Sequence, residues 1–286
     1  MPSHYAHYYF GNEVIRVMPN DVKNIISTNS ECLDAYRMGL QGPDFLAFYR
    51  PGFPNALKKE GRQIHNAPGK CFFQHAIEIL KENPTPESYS YIFGCINHFI
   101  LDSLCHPIVT ESMKLTELTH SKIEREFDNH ILRICRKLPT RLKLRAIFPH
   151  DEELDSVIAR FYQSTTEKNT REAIDSMTDV LRLFAAPKKS SRRRLYRLFT
   201  ALPMDSLNKT RDMIYFEKPE SKLTETNKKL FDALNKAVMT ASTELDAFLN
   251  CLLLDKPLSK AFEVNYLGIS DAESDTASDE KVIADN

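Results

Sequence analysis

HFILDSLCHP, residues 98–107, is the stretch on which the reading of this chain turns. His98, Asp102 and His106 recur at intervals of four among Phe99, Ile100, Leu101 and Leu104. On a helix that spacing sets all three on one stripe. Polar groups on a buried stripe cost free energy unless something satisfies them, and a bound metal ion would do so. The following helical stretch, THSKIEREFDNHILRICRKL at 119–138, repeats the spacing with His120 and Glu124. Two helices that turn such pairs inward are a known way to build a metal cluster in a helical core. Imidazole and carboxylate together suit zinc without excluding iron or manganese. Taken singly, each residue has a plainer reading. A lone histidine is more often a hydrogen-bonded core residue, Glu124 could close a capping box with Ser121, and Asp102 could pair with an arginine. Having to invoke these together for both ladders is less attractive than one metal site.

The chain has 286 residues, 42% of them hydrophobic, and a formal charge of -1. That suffices for one large core, and a second domain is not excluded. So small a net charge gives no general argument for attraction to nucleic acid or membrane. The start, MPSHYAHYYF, lacks a basic region followed by an apolar run, so no signal peptide is expected. No stretch approaches the roughly 20 uninterrupted apolar residues of a membrane span. Cys32, Cys71, Cys95, Cys105, Cys135 and Cys251 form no CxxC pair. They read as reduced, mainly packing thiols, and the expected location is the cytoplasm.

Helical signals dominate the rest, and no alternating strand pattern or internal repeat is evident. DVKNIISTNSECLDAYRMGL suggests two short helices ending at Gly39, before a Gly/Pro-punctuated loop, GLQGPDFLAFYRPGFPN. A helix start is expected at Asn66 and Pro68, with Phe72, Phe73, Ala76, Ile77 and Leu80 as its apolar face. Thr85 and Pro86 start the next, which should end at His106, because Pro107 disfavours helical geometry at the residue before it. Further helices are expected near 151–163, 170–185, 193–201 and 222–254. The fold class is therefore all-α, a single multi-helix domain over 1–268 with a metal cluster in a cleft between helices. An acidic tail, 269–286, is expected to be disordered, and residues 272–286 to be dispensable. KKSSRRRLYR, 188–197, is the one basic cluster; a solvated turn before a helix is favoured over a phosphate-binding patch.

HYAHYYFG, GLQGPDF, IHNAP, HFILDSLCHP and HSKIE, in that order over residues 4–124, resemble the zinc-dependent phospholipase C family, whose fold is shared with the fungal single-strand-specific nucleases. The resemblance implies a cleft with three zinc ions in an all-helical fold. By it, Asp44, His65, His98 and Asp102 would hold one ion, and His106, His120 and Glu124 a second. Asp102 would bridge to a third, also held by His7. In the secreted enzymes the third site is completed by the chain's own N-terminus. This sequence departs there, and either a Pro2 amine freed by loss of Met1 or His4 would have to substitute. His75, His130 and His150 match no motif position. Asp128 continues the stripe of His120 and Glu124, as a partner fixing a ligand histidine or as an exposed carboxylate.

The implied activity is hydrolysis of a phosphoric ester, nominally of phospholipase C type, with Asp44 orienting or deprotonating the attacking water. Tyr5, Tyr8, Tyr9, Phe45, Phe48 and Tyr49 lie near the ligands in sequence, and core packing is favoured for most of them over a headgroup or base pocket. The expected partner is a phosphoester substrate, a phospholipid among the candidates, without stable membrane insertion and without nucleic acid. The rival reading is a non-enzymatic helical metal-binding or scaffold protein that keeps the site for stability.

Overall fold

The computed structural model describes residues 4–201 and 210–270. Helices make up the architecture, and among the described residues the only β contact is an isolated bridge between Val264 and Ser270. In chain order the first helices are α1 (His4–Val17), α2 (Asn20–Ile26), α3 (Ser30–Gly39), α4 (Ala56–Asn66), α5 (Gly69–Glu82), α6 (Pro86–Thr116) and α7 (His120–Ile134). Then come α8 (Leu144–Ile147), α9 (Glu152–Ala159), α10 (Glu167–Phe184), α11 (Lys189–Ala201) and α12 (Thr224–Leu254). Starts are set by short polar side chains. Asn29, Asn55, Thr85, Thr119, Asp151 and Thr166 each accept a hydrogen bond from the amide three residues on. Each such cap stabilises its helix by about 1 kcal/mol.

Helix α6 is the axis of the molecule. Every residue from Tyr91 to Asp102 is buried, so this stretch is enclosed on all sides. α3 crosses it at glycines: a Cβ on Gly39 would lie 2.0 Å from the Tyr91 carbonyl oxygen, and one on Gly94 2.2 Å from that of Tyr36. The two backbones therefore pack in direct contact. α12 lies on another flank, with Leu230, Leu234, Ala237, Ala241, Leu245 and Phe248 buried at steps of three and four. α1 and α7 complete the layer that carries the polar stripe.

The structure corrects several expected boundaries. α6 does not stop at His106 but runs through Pro107 to Thr116. Beyond the proline, Val109 and Ser112 are buried, and Ser112 Oγ meets Thr226 Oγ1 at 2.9 Å. This packing against α12 outweighs the one hydrogen bond that Pro107 removes. The expected loop contains a short 3-10 helix, Gly42–Phe48, with Pro43 in its first turn. α4 was not foreseen, since ALKKEGRQIHN has too few apolar residues to show a period; only Leu57 and Gly61 of it are buried. Asn66 is its last residue rather than the start of α5, which begins at Gly69 after Pro68.

By length and composition alone, α6 and the stretch Ser221–Leu254 could each cross a membrane, although neither is an unbroken apolar run. In α6 that apolar surface is spent on the core, with 78% of the relevant window buried; for the second the share is 39%. All six cysteines are free; Cys32, Cys95 and Cys251 are buried as expected, whereas Cys71 is exposed and Cys105 and Cys135 are half-buried. Most of the expected tail lies outside the described residues.

Candidate metal centre

Five elements converge on one polar cluster. α1 supplies His7, the 42–48 turn Asp44, and the last turn of α4 His65. α6 contributes the ladder His98, Asp102 and His106, and the first turns of α7 His120 and Glu124. All eight residues singled out in the sequence come together. They form three groups: His7, His98 and Asp102; Asp44, His65 and His98; and His106, His120 and Glu124. Within each group the candidate ligand atoms lie within 4.8 Å of one another. Asp102 is the hub, with its oxygens 3.2 Å from His7 Nε2 and 3.3 Å from His98 Nε2. Asp44 Oδ1 is 3.0 Å from His65 Nε2, and Glu124 Oε1 lies 2.9 Å from His120 Nε2 and 3.4 Å from His106 Nε2.

The second ring nitrogens show what the cluster is built for. His65 Nδ1 sits 2.7 Å from the Gly61 carbonyl oxygen, His98 Nδ1 3.2 Å from that of Leu40, and His106 Nδ1 2.7 Å from that of Tyr266. A carbonyl can only accept, so Nδ1 donates and Nε2 is the ring atom left to face a ligand in all three. Those Nε2 atoms are buried and make no hydrogen bond, and neither do His120 Nε2, Asp102 Oδ2 and Glu124 Oε2. Ring nitrogens and carboxylate oxygens converging in a buried site, with backbone acceptors holding the rings, is the arrangement of a metal centre. The nitrogen and oxygen donors fit zinc. The plainer readings fail here. Asp102 faces imidazoles rather than an arginine. The capping residue of α7 is Thr119, which accepts from the Lys122 amide, while Glu124 points at His106 and His120.

Burial opposes charge on Asp44, Asp102, His106 and Glu124, and the neighbouring charges override it. Asp102 is held well below the usual carboxylate range by His106, His98 and His7. Asp44 is held low by surrounding positive charge, including His65 and His98. Glu124 falls to about 2 beside His120 and His106. His106 rises to about 9 because Asp102 and Glu124 outweigh its burial. The metal-free protein therefore keeps a proton on His106 that the unfolded chain loses near 6.5. The stability gained from it is full below about pH 6.5 and lost as pH rises through about 9. A cation must expel this proton, so zinc affinity at this group should rise about tenfold per pH unit between pH 6 and 8. Competition with a chromophoric chelator measures this; an affinity flat over that range would contradict the assignment.

Gly42 explains why the loop reads GPD. Its φ is +51°, and a Cβ there would lie 2.4 Å from His98 Cδ2. Gly42→Ala should therefore displace the His98 ring as well as strain the turn, at a cost of about 1–3 kcal/mol. Lowered thermal melting together with lowered zinc content is the expected result; an unchanged melting curve would show that the turn simply relaxes.

Tyr266 escaped the sequence reading, and Asp128 takes a role other than the two expected of it. Tyr266 packs its ring 4.9 Å from that of His65 and 5.8 Å from that of His98, while its carbonyl fixes His106. Asp128 is neither exposed nor bonded to a ligand histidine. Fully buried, it accepts from the Tyr5 and Ala6 amides and the Tyr215 hydroxyl, capping the helix that carries His7. Burial pushes its carboxyl up to about 7 against these donors.

Other residues fall outside the groups. His4 bonds Gln41 Oε1 at 2.7 Å and is not a member of the His7 group, and Pro2 lies outside the described residues. His75 is on the surface beside Glu78, His130 packs on Phe231, and His150 bridges Asp155 and Asp175. Tyr5, Phe45 and Phe48 are buried in the core, with Tyr8, Tyr9 and Tyr49 packed against it.

Against known proteins, no curated protein and no solved structure matches the chain. A family model does: that of zinc dependent phospholipase C, over residues 6–182. That span holds all eight clustered residues and most of the chain's length. The chain belongs to the zinc-dependent phospholipase C family.

Proposed function

We propose that the protein is a zinc-dependent phosphoric-ester hydrolase of phospholipase C type, which splits a phosphodiester into an alcohol and a phosphomonoester. The observation that carries this reading is the set of three histidines whose Nδ1 atoms are tied to backbone carbonyls while their Nε2 atoms converge on buried carboxylates. Zinc bound there would lower the pKa of water from about 16 to about 7 and offset phosphate charge. His7, Asp44, His65, His98, Asp102, His106, His120 and Glu124 would hold two or three ions between them. Asp44, on a short turn rather than in the central helix, stays ionised and can accept the proton of the attacking water. As the water oxygen bonds to phosphorus, the ester bond to the leaving oxygen breaks, and that oxygen takes up a proton, from Asp44 or from solvent, and leaves as the alcohol. Solvent reaches the cluster at its His120 and His65 edges, where the side chains are 29% and 15% exposed.

One observation favours the rival reading of a structural metal site. The cavity lined by His7, Asp102, His106 and Glu124 is only about 20 Å³, room for about one water. Turnover of bis-p-nitrophenyl phosphate by the zinc-loaded protein separates the two. Release of p-nitrophenol that stops on chelation supports the hydrolase; a zinc-loaded but inert protein supports the structural site.

A further inference from the structure

Helix α11 is almost wholly exposed, and its basic side chains belong to no part of the metal centre. Arg192 is the exception: it is buried, its guanidinium bonded to the Ala186 and Pro187 carbonyls and to Glu217 at 2.9 Å. Leu195 and Phe199 share that inner face, half-buried, with Phe199 set against Phe184. On the outer face Arg193 and Arg197 form one row, and Arg194 with Leu198 forms the next. Lys188 and Lys189 stand at the start of the helix. Among the described residues, none of these five cationic side chains forms an ion pair or hydrogen bond. Leu198 is 55% exposed and Leu183 at the end of α10 is 51% exposed.

The helix is also tied to the metal centre. Arg192 meets Glu217, and the Tyr196 ring lies 5.6 Å from that of Phe216. The segment carrying these partners is strapped along α7. Arg125 Nη1 donates to the Ile214 carbonyl, Tyr215 donates to Asp128, and Asp212 accepts from Thr119 Oγ1, next to His120.

We infer that the outer face of α11 docks the protein on an anionic phospholipid surface. Five cations at the start and along the outer face of this helix complement anionic headgroups, and Leu198 among them can enter the headgroup boundary. Nucleic acid would satisfy the charge and leave the exposed Leu198 without a role. The choice of lipid rests in part on the phospholipase reading, because a substrate embedded in a bilayer must be met at its surface.

The test is sedimentation of the full chain with phosphatidylcholine vesicles, with and without phosphatidylserine, which needs no turnover. The wild type should bind only the anionic vesicles and be released by high salt. The triple variant R193Q/R194Q/R197Q should lose about a hundredfold in partitioning, each charge being worth about fivefold. Its zinc content, melting temperature and turnover of soluble bis-p-nitrophenyl phosphate should stay at wild-type levels. Equal binding to both vesicle types, or unchanged binding by the variant, would overturn the inference, as would tighter binding to a single-stranded oligonucleotide than to the vesicles at the same salt. Binding without any lipid hydrolysis would leave the docking face standing and sink the phospholipase reading alone.

Discussion

Asp102→Ala is expected to cost the protein both its metal and much of its stability. The carboxylate touches His7 and His98 and lies 3.9 Å from His106, so its loss uncovers three buried imidazoles at once. Removing one partner of a buried ion pair costs about 3–5 kcal/mol. Because α6 is the axis of the fold, there is no loop to absorb the change. Differential scanning calorimetry with zinc analysis should show a large drop in melting temperature and loss of bound zinc. A variant that melts normally and keeps its zinc would show that the hub is not where these distances put it.

Asp44→Asn should separate the holding of metal from the chemistry. Asn keeps the size and one acceptor oxygen but cannot take up a proton at neutral pH. The residue sits on the 42–48 turn, away from the central helix, so the fold should tolerate the exchange. If Asp44 accepts the proton of the attacking water, turnover of a soluble phosphodiester should fall by about a hundredfold or more. Zinc content and melting should change little on the same preparation. Near-normal turnover with zinc retained would remove Asp44 from the mechanism, and parallel loss of zinc and turnover would reduce it to a ligand.

The two ladders were legible in the sequence because a helix converts intervals of four into one face, whatever its neighbours are. Helix starts at Thr85 and near His120 were legible for a similar local reason, the short side chain that caps them. What the sequence hid depends on contacts across the chain. Pro107 reads as a stop, yet α12 packs on the residues beyond it and keeps them helical. α4 has no apolar period, although Asn55 after Pro54 is a capping signal that could have revealed it. Asp128 looked like a continuation of the ligand stripe; only the arrival of the α1 N-terminus, 122 residues away in sequence, gives it its role. Tyr266 reaches His106 across 160 residues through a backbone carbonyl, which no side-chain pattern encodes.

The most direct test of the metal centre is zinc stoichiometry of the full chain after reconstitution and removal of loosely bound ions. Three groups of converging ligand atoms predict at least two zinc ions per chain. Fewer than one ion per chain would contradict the centre itself.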